Sequence, residues 1–299
     1  MKGKKLFHSR KFVNAVTPYL FVGPAVLIIL TFLVVPALMA LGYSFTYFNM
    51  LKPQKIRFVG LENYAGLFSA DLFATAMVNT VKYAVVLVPV VCVVSFLLAL
   101  LVNQNLRGST LFRTAFFSPV LLSMTVVSIL WTVILNPTPG YGLINTILDK
   151  MGLPGCMFLR SAETALNSIL GMSVWQLSGY YMMIFLAGLQ GVPGDLYEAA
   201  SIDGANALDK IIHITIPSIR NVSVFVILMT TISAMKMFTQ SYVMTNGGPD
   251  NSTTTMVFYI YQQGIKYHNI GFASAASVVF FFIVVSISFI VKRFVDNEN

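Results

Sequence analysis

TVKYAVVLVPVVCVVSFLLALLV, residues Thr80–Val102, decides the fold. Lys82 near its start is the one charge, and no further Lys, Arg, Asp or Glu follows as far as Val102. Wound as an α-helix, about twenty residues rise roughly 30 Å, the thickness of a bilayer's hydrocarbon core. Pro89 does not break this reading, because a membrane span can have its freed backbone groups satisfied by neighbouring helices.

Five more blocks read the same way: Pro18–Tyr43, Thr114–Leu135, Leu166–Gly188, Val222–Val243 and Gly271–Val291. Lys82 and Lys236 are the charged residues inside the six blocks, each toward one end, from which a long side chain can snorkel. The 299-residue chain is 57% hydrophobic and 10% charged, with mean hydropathy +0.77. Soluble domains carry about 25% charged residues, and this chain has too few to coat a soluble surface. The expected fold is all-α: a polytopic membrane helix bundle of about six transmembrane helices.

A net charge of +8 invites a nucleic-acid partner, but its distribution argues for topology instead. Lys2, Lys4, Lys5, Arg10, Lys11, Arg107, Arg113, Lys210, Arg220, Lys292 and Arg293 fall on one side of the six blocks. Lys52, Lys55, Arg57, Lys150, Arg160 and Lys266 fall on the other. The positive-inside rule makes the richer side cytoplasmic, with both termini on it. A cleaved signal peptide has an apolar core of about 7–15 residues before a small-residue site. Tyr19–Leu41 is longer, so the first span is expected to be retained. Cys92 falls inside a block and Cys156 in an outer loop, which argues against a disulfide or a metal site.

Four regions follow: a basic cytoplasmic segment at 1–17, a first span with an outer segment at 18–75, a five-span core at 76–292, and a cytoplasmic tail at 293–299. No internal repeat is evident, which weighs against a secondary transporter built from two halves. So few helices make a small enclosure for a pathway, which points to a partner subunit.

The inner loop at 189–217 is the most informative segment. Pro193 suits a first helical turn and Asp195 lies near the positive end of the dipole. Glu198-Ala199-Ala200 continues that helix, and Gly204, after Asp203, supplies a left-handed stop. Leu208, Ile211 and Ile212 mark a second helical stretch before Pro217 opens the next span. Such a helix–turn–helix could rest on lipid headgroups. Yet Asp195, Glu198, Asp203 and Asp209 suit an anionic leaflet poorly and suit a protein partner with a basic cleft well.

This loop resembles the EAA motif of importer-type ABC permeases, EAA–x3–G–x9–I–x–L–P. Glu198, Ala199, Ala200, Gly204, Ile214 and Pro217 match at the required spacing, with Ile216 in place of leucine. Gly60-Leu61-Glu62-Asn63-Tyr64 with Asn79-Thr80, Phe112-Arg113 through Pro119, Thr245-Asn246-Gly247-Gly248-Pro249 and Gly271-Phe272-Ala273-Ser274-Ala275 resemble the carbohydrate-uptake, maltose-type class. The likeness covers nearly the whole chain. It departs at Gly264-Ile265, where many relatives have Ala-Phe.

The resemblance implies a location in the cytoplasmic membrane of a prokaryote and a set of partners: a second permease, two ATPase subunits and an external solute-binding protein. It implies that 189–217 carries a coupling helix in an ATPase groove, with Glu198 pairing a basic residue and Gly204 setting the turn. Ala199 and Ala200 would then allow close approach. ATP and magnesium would belong to the ATPase. This chain has no G-x-x-x-x-G-K-[ST] run and is expected to hold neither cofactor nor metal.

An intramembrane enzyme would need a nucleophile and base, or metal ligands, within the spans. His8, His213 and His268 and every Asp and Glu fall outside the blocks, and neither H-E-x-x-H nor G-x-S-x-G occurs. For a sugar pathway, Trp175, Gln176, Tyr180, Tyr181, Thr230, Ser233 and Gln240 combine aromatic faces with hydrogen-bonding groups. The same residue types also pack helices together. Lys236 has two readings: it snorkels outward, or it lines a cavity for a phosphorylated polyol or acidic sugar.

Overall fold

The computed structural model describes residues 17–104 and 108–296, with side chains to 293. Lys2, Lys4, Lys5, Arg10, Lys11 and Arg107 lie outside these residues, as do His8 and residues 297–299 of the proposed tail. Among the described residues, four helices are long and apolar enough to cross a bilayer, and two sharply bent pairs bring the number to six if each is one span. The chain divides into two compact units, residues 1–67 with 263–279 and residues 68–262 with 280–299.

The first unit opens with α1, Thr17–Ser44. Its most apolar window has no buried residue. A π-turn at Leu30–Val34 stands just before Pro36, and the Val35 N–H reaches back to the Leu30 carbonyl. Proline offers no N–H, and a widened turn lets the ladder absorb the loss. After α1, β1 (Thr46–Tyr47) pairs antiparallel with β2 (Arg57–Phe58). This hairpin was not expected from the sequence. Gly60, at φ +59°, turns the chain into α2, Glu62–Phe68. Asn63 Nδ2 then donates to the Ser44 and Thr46 carbonyls at 2.8 and 2.9 Å, and Tyr64 Oη donates to Ser44 Oγ at 2.8 Å. Gly271 N–H donates to the Phe48 carbonyl at 3.1 Å. A Cβ at Gly271 would stand 2.1 Å from the Thr46 oxygen, so only glycine lets the start of the last helix approach the hairpin. Two separated stretches of family-like sequence thus brace one corner.

The second unit, which also holds the short helices α6, Leu143–Lys150, and α11, Met256–Tyr261, is built on α3, Asp71–Asn103, and α7, Ala165–Gln190, with α10, Arg220–Met235, packed beside them. On α3 the buried side chains include Thr80, Tyr83, Leu87, Val91, Ser95, Ala99 and Val102, a stripe at helical spacing. Ser95 Oγ donates to the Ser178 carbonyl at 3.0 Å, and the Phe96 and Phe185 rings meet at 5.7 Å. In lipid, helices associate through close packing and hydrogen bonds, which favours small residues at contacts. A Cβ at Gly179 would stand 2.0 Å from the Phe116 oxygen, and one at Gly188 would stand 2.9 Å from Val222 Cγ2.

Three expected boundaries are corrected. The block at Thr114–Leu135 is not one straight helix. α4 (Ser109–Phe117) continues as a 3₁₀ turn at Ser118–Leu121, and α5 (Met124–Ile134) departs at 98°. Buried Pro119 and extended Leu122 mark the break, and Ser123 caps α5 by accepting from Val126 N–H. The block at Val222–Val243 ends early: α10 stops at Met235 and Lys236 is its C-cap, so Lys236 and Gln240 lie beyond that helix. The last block begins at Ile270 and runs on as α12, Ile270–Asp296.

Candidate functional site

The inner loop read as 189–217 is a helical hairpin over residues 191–219. Pro193 occupies the N-cap, not the first turn as expected, and α8 runs Gly194–Ile202 with Asp195 in its first turn. The helix stops as Gly204 takes φ +82°. Ala205 N–H donates to the Ala200 carbonyl at 2.9 Å and Gly204 N–H to the Ser201 carbonyl at 3.3 Å. These two bonds are the Schellman pattern, in which a left-handed residue satisfies carbonyls that the helix leaves open.

The next residue but one starts the second helix. Asn206 Oδ1 accepts from Leu208 and Asp209 N–H at 2.8 and 3.0 Å, and Asp209 Oδ2 accepts from Asn206 N–H at 3.0 Å. This capping box was legible as Asn-x-x-Asp at 206–209 but was missed. α9 then spans Ala207–Ser218, with a π-turn at Ile211–Thr215, and meets α10 at a 71° bend. Pro217 therefore sits within α9 and does not open the span. His213 points its ring Nδ1 at the Asp209 carbonyl, 3.1 Å away.

Two side-chain links hold the hairpin's arms together. Lys210 Nζ donates to Ser201 Oγ at 2.6 Å, and the Tyr197 and Thr215 hydroxyls lie 3.0 Å apart, with Thr215 buried. The motif residues Glu198, Ala199, Asp203 and Pro217 are exposed, and Ala200 and Ile214 are half-buried. Ile202 is 86% exposed and Leu208 62%, beside carboxylates at Asp195, Glu198 and Asp203. The hairpin is locked by its own bonds and presents an apolar and acidic face outward.

The proposed pathway residues separate into two groups. Gln176, Tyr181, Thr230 and Gln240 are buried, whereas Trp175, Tyr180, Ser233 and Lys236 are exposed. Gln176 Nε2 donates to the Leu122 carbonyl at 3.2 Å, bracing the break between α4 and α5. Its Oε1 is buried with no hydrogen-bond partner in the described residues. Tyr181 and Cys92 both lie within reach of the Thr230 hydroxyl, a three-helix contact of α3, α7 and α10. Tyr180 opens on an apolar groove of about 530 Å³ beside Phe117, Met183, Gly188 and Val222. Trp175 meets Trp131 of α5 at 5.7 Å between ring centroids, a partner the sequence reading did not single out.

The Thr-Asn-Gly-Gly-Pro stretch is a knot. Gly247, at φ +85°, is buried so tightly that a Cβ would stand 2.4 Å from Phe258 Cε1. Thr254 Oγ1 donates to the Gly247 carbonyl at 3.1 Å and Thr253 Oγ1 to the Gly248 carbonyl at 2.9 Å. Ser252 N–H donates to the Pro249 carbonyl at 2.9 Å. From α3, Asn79 Nδ2 donates to the Asn251 and Thr254 carbonyls at 2.9 and 3.0 Å, and Thr80 Oγ1 accepts from Met256 N–H at 2.9 Å. Phe238, Tyr242, Phe258 and Tyr261 cluster nearby, and a hydrogen bond with Tyr242, followed by burial, raises the Tyr261 phenol pKa. No group of three or more potential metal ligands occurs among the described residues.

Comparison with known proteins adds three findings. Residues 65–297 match the family described as binding-protein-dependent transport system inner membrane component. The chain is 36% identical to the arabinooligosaccharides transport system permease protein AraP of Bacillus subtilis, over 96% of this chain and 90% of that protein. It is 33% identical to the sn-glycerol-3-phosphate transport system permease protein UgpA of Yersinia enterocolitica, over 94% of each. Its fold matches a chain of a bacterial alginate ABC transporter, solved in complex with an alginate pentasaccharide-bound periplasmic protein. That match has a TM-score of 0.82 and 22% identity and covers 95% of each chain.

Proposed function

The chain belongs to the binding-protein-dependent transport system inner membrane components, and from that premise we propose that its helical hairpin at 191–219 couples a carbohydrate pathway to a separate ATPase. It is a multi-pass membrane permease subunit, not a catalytic one. In the proposed assembly it pairs with a second permease and two ATPase subunits, which bind ATP and magnesium. A solute-binding protein delivers the solute from outside, and both termini are cytoplasmic.

The observation that carries this reading is the exposed face of α8. An apolar side chain as open as Ile202, near carboxylates in the chain and on a helix closed by a Schellman turn, is suited to a groove lined by basic and apolar groups. Because Lys210–Ser201 and Tyr197–Thr215 join its two arms, the hairpin can move as one lever. Closure of the ATPase around nucleotide would push that lever against α10 through the bend at Ile219. Glu198 would pair with a basic residue of the groove, and the small Ala199 and Ala200 would admit close approach.

For the solute, sugars and polyols fit the aromatic and amide groups of α7, with Trp175, Tyr180 and Gln176 as the first residues to test. A phosphorylated polyol is the second reading. Lys236, exposed at the end of α10, favours it, as does the likeness to a glycerol-3-phosphate permease. The test is ATPase co-purification together with solute uptake in proteoliposomes. Glu198→Ala should remove the ATPase, or abolish uptake with the ATPase still bound. Wild-type levels of both would reduce the hairpin to a membrane-surface connector.

A further inference from the structure

The short segments of a membrane protein that face away from the cytoplasm are ordinarily poor in Lys and Arg. Yet the described residues of the first unit contain Lys52, Lys55, Arg57 and Lys266, all exposed, against one acid, Glu62. Beside these cations stand Met50, Leu51, Ile56, Phe58, Ile265 and Tyr267, each more than two-fifths exposed. Cations interleaved with open apolar and aromatic side chains are the composition of a surface that sits in the headgroup layer.

The height of these residues is fixed by the chain. Arg57 pairs with Tyr47, three residues past the end of α1, and its guanidinium lies 5.3 Å from that ring's centre. Met50 N–H donates to the His268 carbonyl at 2.8 Å, two residues before α12 begins. Lys52 is two residues beyond that tie, within about 7 Å of chain. Lys266 Nζ stands 5.9 Å from the Tyr267 ring centre, four residues before α12. Both basic segments therefore leave the ends of membrane helices directly, and the polar layer on each side of the hydrocarbon is about 5–8 Å deep.

We infer that the Thr46–Phe58 hairpin, with Lys266 and Tyr267, anchors the chain to anionic phospholipid headgroups of the outer leaflet. The choice of leaflet rests on the function proposed above; the binding of the headgroups does not. The ammonium and guanidinium groups meet the lipid phosphates, and Leu51, Ile56 and Phe58 enter the acyl boundary. An acidic face of the solute-binding protein would satisfy the cations equally but would have no comparable need for those apolar side chains.

The probe is phosphatidylglycerol against phosphatidylcholine, retained by the importer purified with its partner subunits and counted by native mass spectrometry. Wild type should retain phosphatidylglycerol preferentially, and each cation removed should lower that retention about fivefold. The triple variant K52Q/K55Q/R57Q should fall about a hundredfold, while K52R/K55R, which keeps the charge, stays near wild type. Equal retention of both lipids by wild type, or an unchanged triple variant, overturns the inference. So does unchanged lipid retention with lost affinity for the solute-binding protein, which would make the hairpin a protein-docking surface. Labelling of Lys55→Cys by an impermeant thiol reagent in intact cells tests the leaflet separately. Inside-only labelling would sink the proposed topology while leaving the lipid count standing.

Discussion

Replacing Gly204 separates the conformational role of the turn from any role in contact. The residue holds φ +82°, and a Cβ built there meets nothing within 4 Å, so a side chain costs backbone strain and no clash. For an L-residue that strain is about 1–2 kcal/mol, least for Asn and greater for a β-branched residue. It falls on a nine-residue helix, too short to persist without its caps. The Schellman bonds from Ala205 to Ala200 and from Gly204 to Ser201 are the ones at risk. If the capped hairpin is the form that docks, apparent affinity for the ATPase falls with the population of that form. Gly204→Ala should then weaken docking by up to about 5- to 30-fold. Gly204→Asn should stay close to wild type and Gly204→Val should be the weakest. The assay is titration of the purified ATPase onto the permease in nanodiscs, with uptake measured in parallel. Docking that ignores this order, with Asn as damaging as Val or Val as good as glycine, would refute the argument.

Three further outcomes are expected. Glu198→Ala should weaken ATPase docking on the order of 30-fold or more in the same titration, because one member of an interface charge pair is removed. Asn79→Ala takes two hydrogen bonds from the carbonyls of Asn251 and Thr254 at a buried site; it should cost about 1–3 kcal/mol, read as a lower thermal-unfolding midpoint in detergent. Trp175→Ala should raise the KM for solute uptake while basal ATPase activity and ATPase docking stay at wild-type levels. Unchanged uptake kinetics would assign the Trp131–Trp175 pair to packing.

The membrane spans were legible because a run of uncharged residues fixes a length in a bilayer whatever its neighbours are. Which face of each span is buried was not. In Thr80–Val102 almost every residue is apolar, so no periodic contrast survives, and lipid and protein neighbours are equally greasy. The buried stripe is instead marked by Thr80, Ser95 and Ala99, residues that let backbones approach or reach a carbonyl. The break at Leu122 was hidden for a similar reason. Proline is tolerated in spans, so Pro119 alone does not announce a 98° turn, and the brace that holds it comes from Gln176, far along the chain. The hairpin at 46–58 has strands of two residues each, too short for alternation to register.

The helical hairpin at 191–219 was the most legible local structure, because its determinants are local. A glycine that must take positive φ and an acid at a helix start each act within one turn, so order along the chain carries their meaning, whereas Pro193 and Pro217 both fall at other positions than expected. The burial of the proposed pathway residues depends on which helices meet, and that is not written in any one segment. Trp175 and Tyr180 are open while Gln176 and Tyr181 are closed, although all four share α7. Only the packing of α3, α5 and α10 decides which is which. The knot at Gly247 carries the same argument outside the spans. The crowding that demands glycine at Gly247 comes from Phe258 and Thr254, and the loop's anchor lies in Asn79 and Thr80 of α3. Two motifs that read as separate marks of one family, Asn79-Thr80 and Thr245–Pro249, are joined through Thr254, whose carbonyl accepts from Asn79 and whose hydroxyl donates to the Gly247 carbonyl.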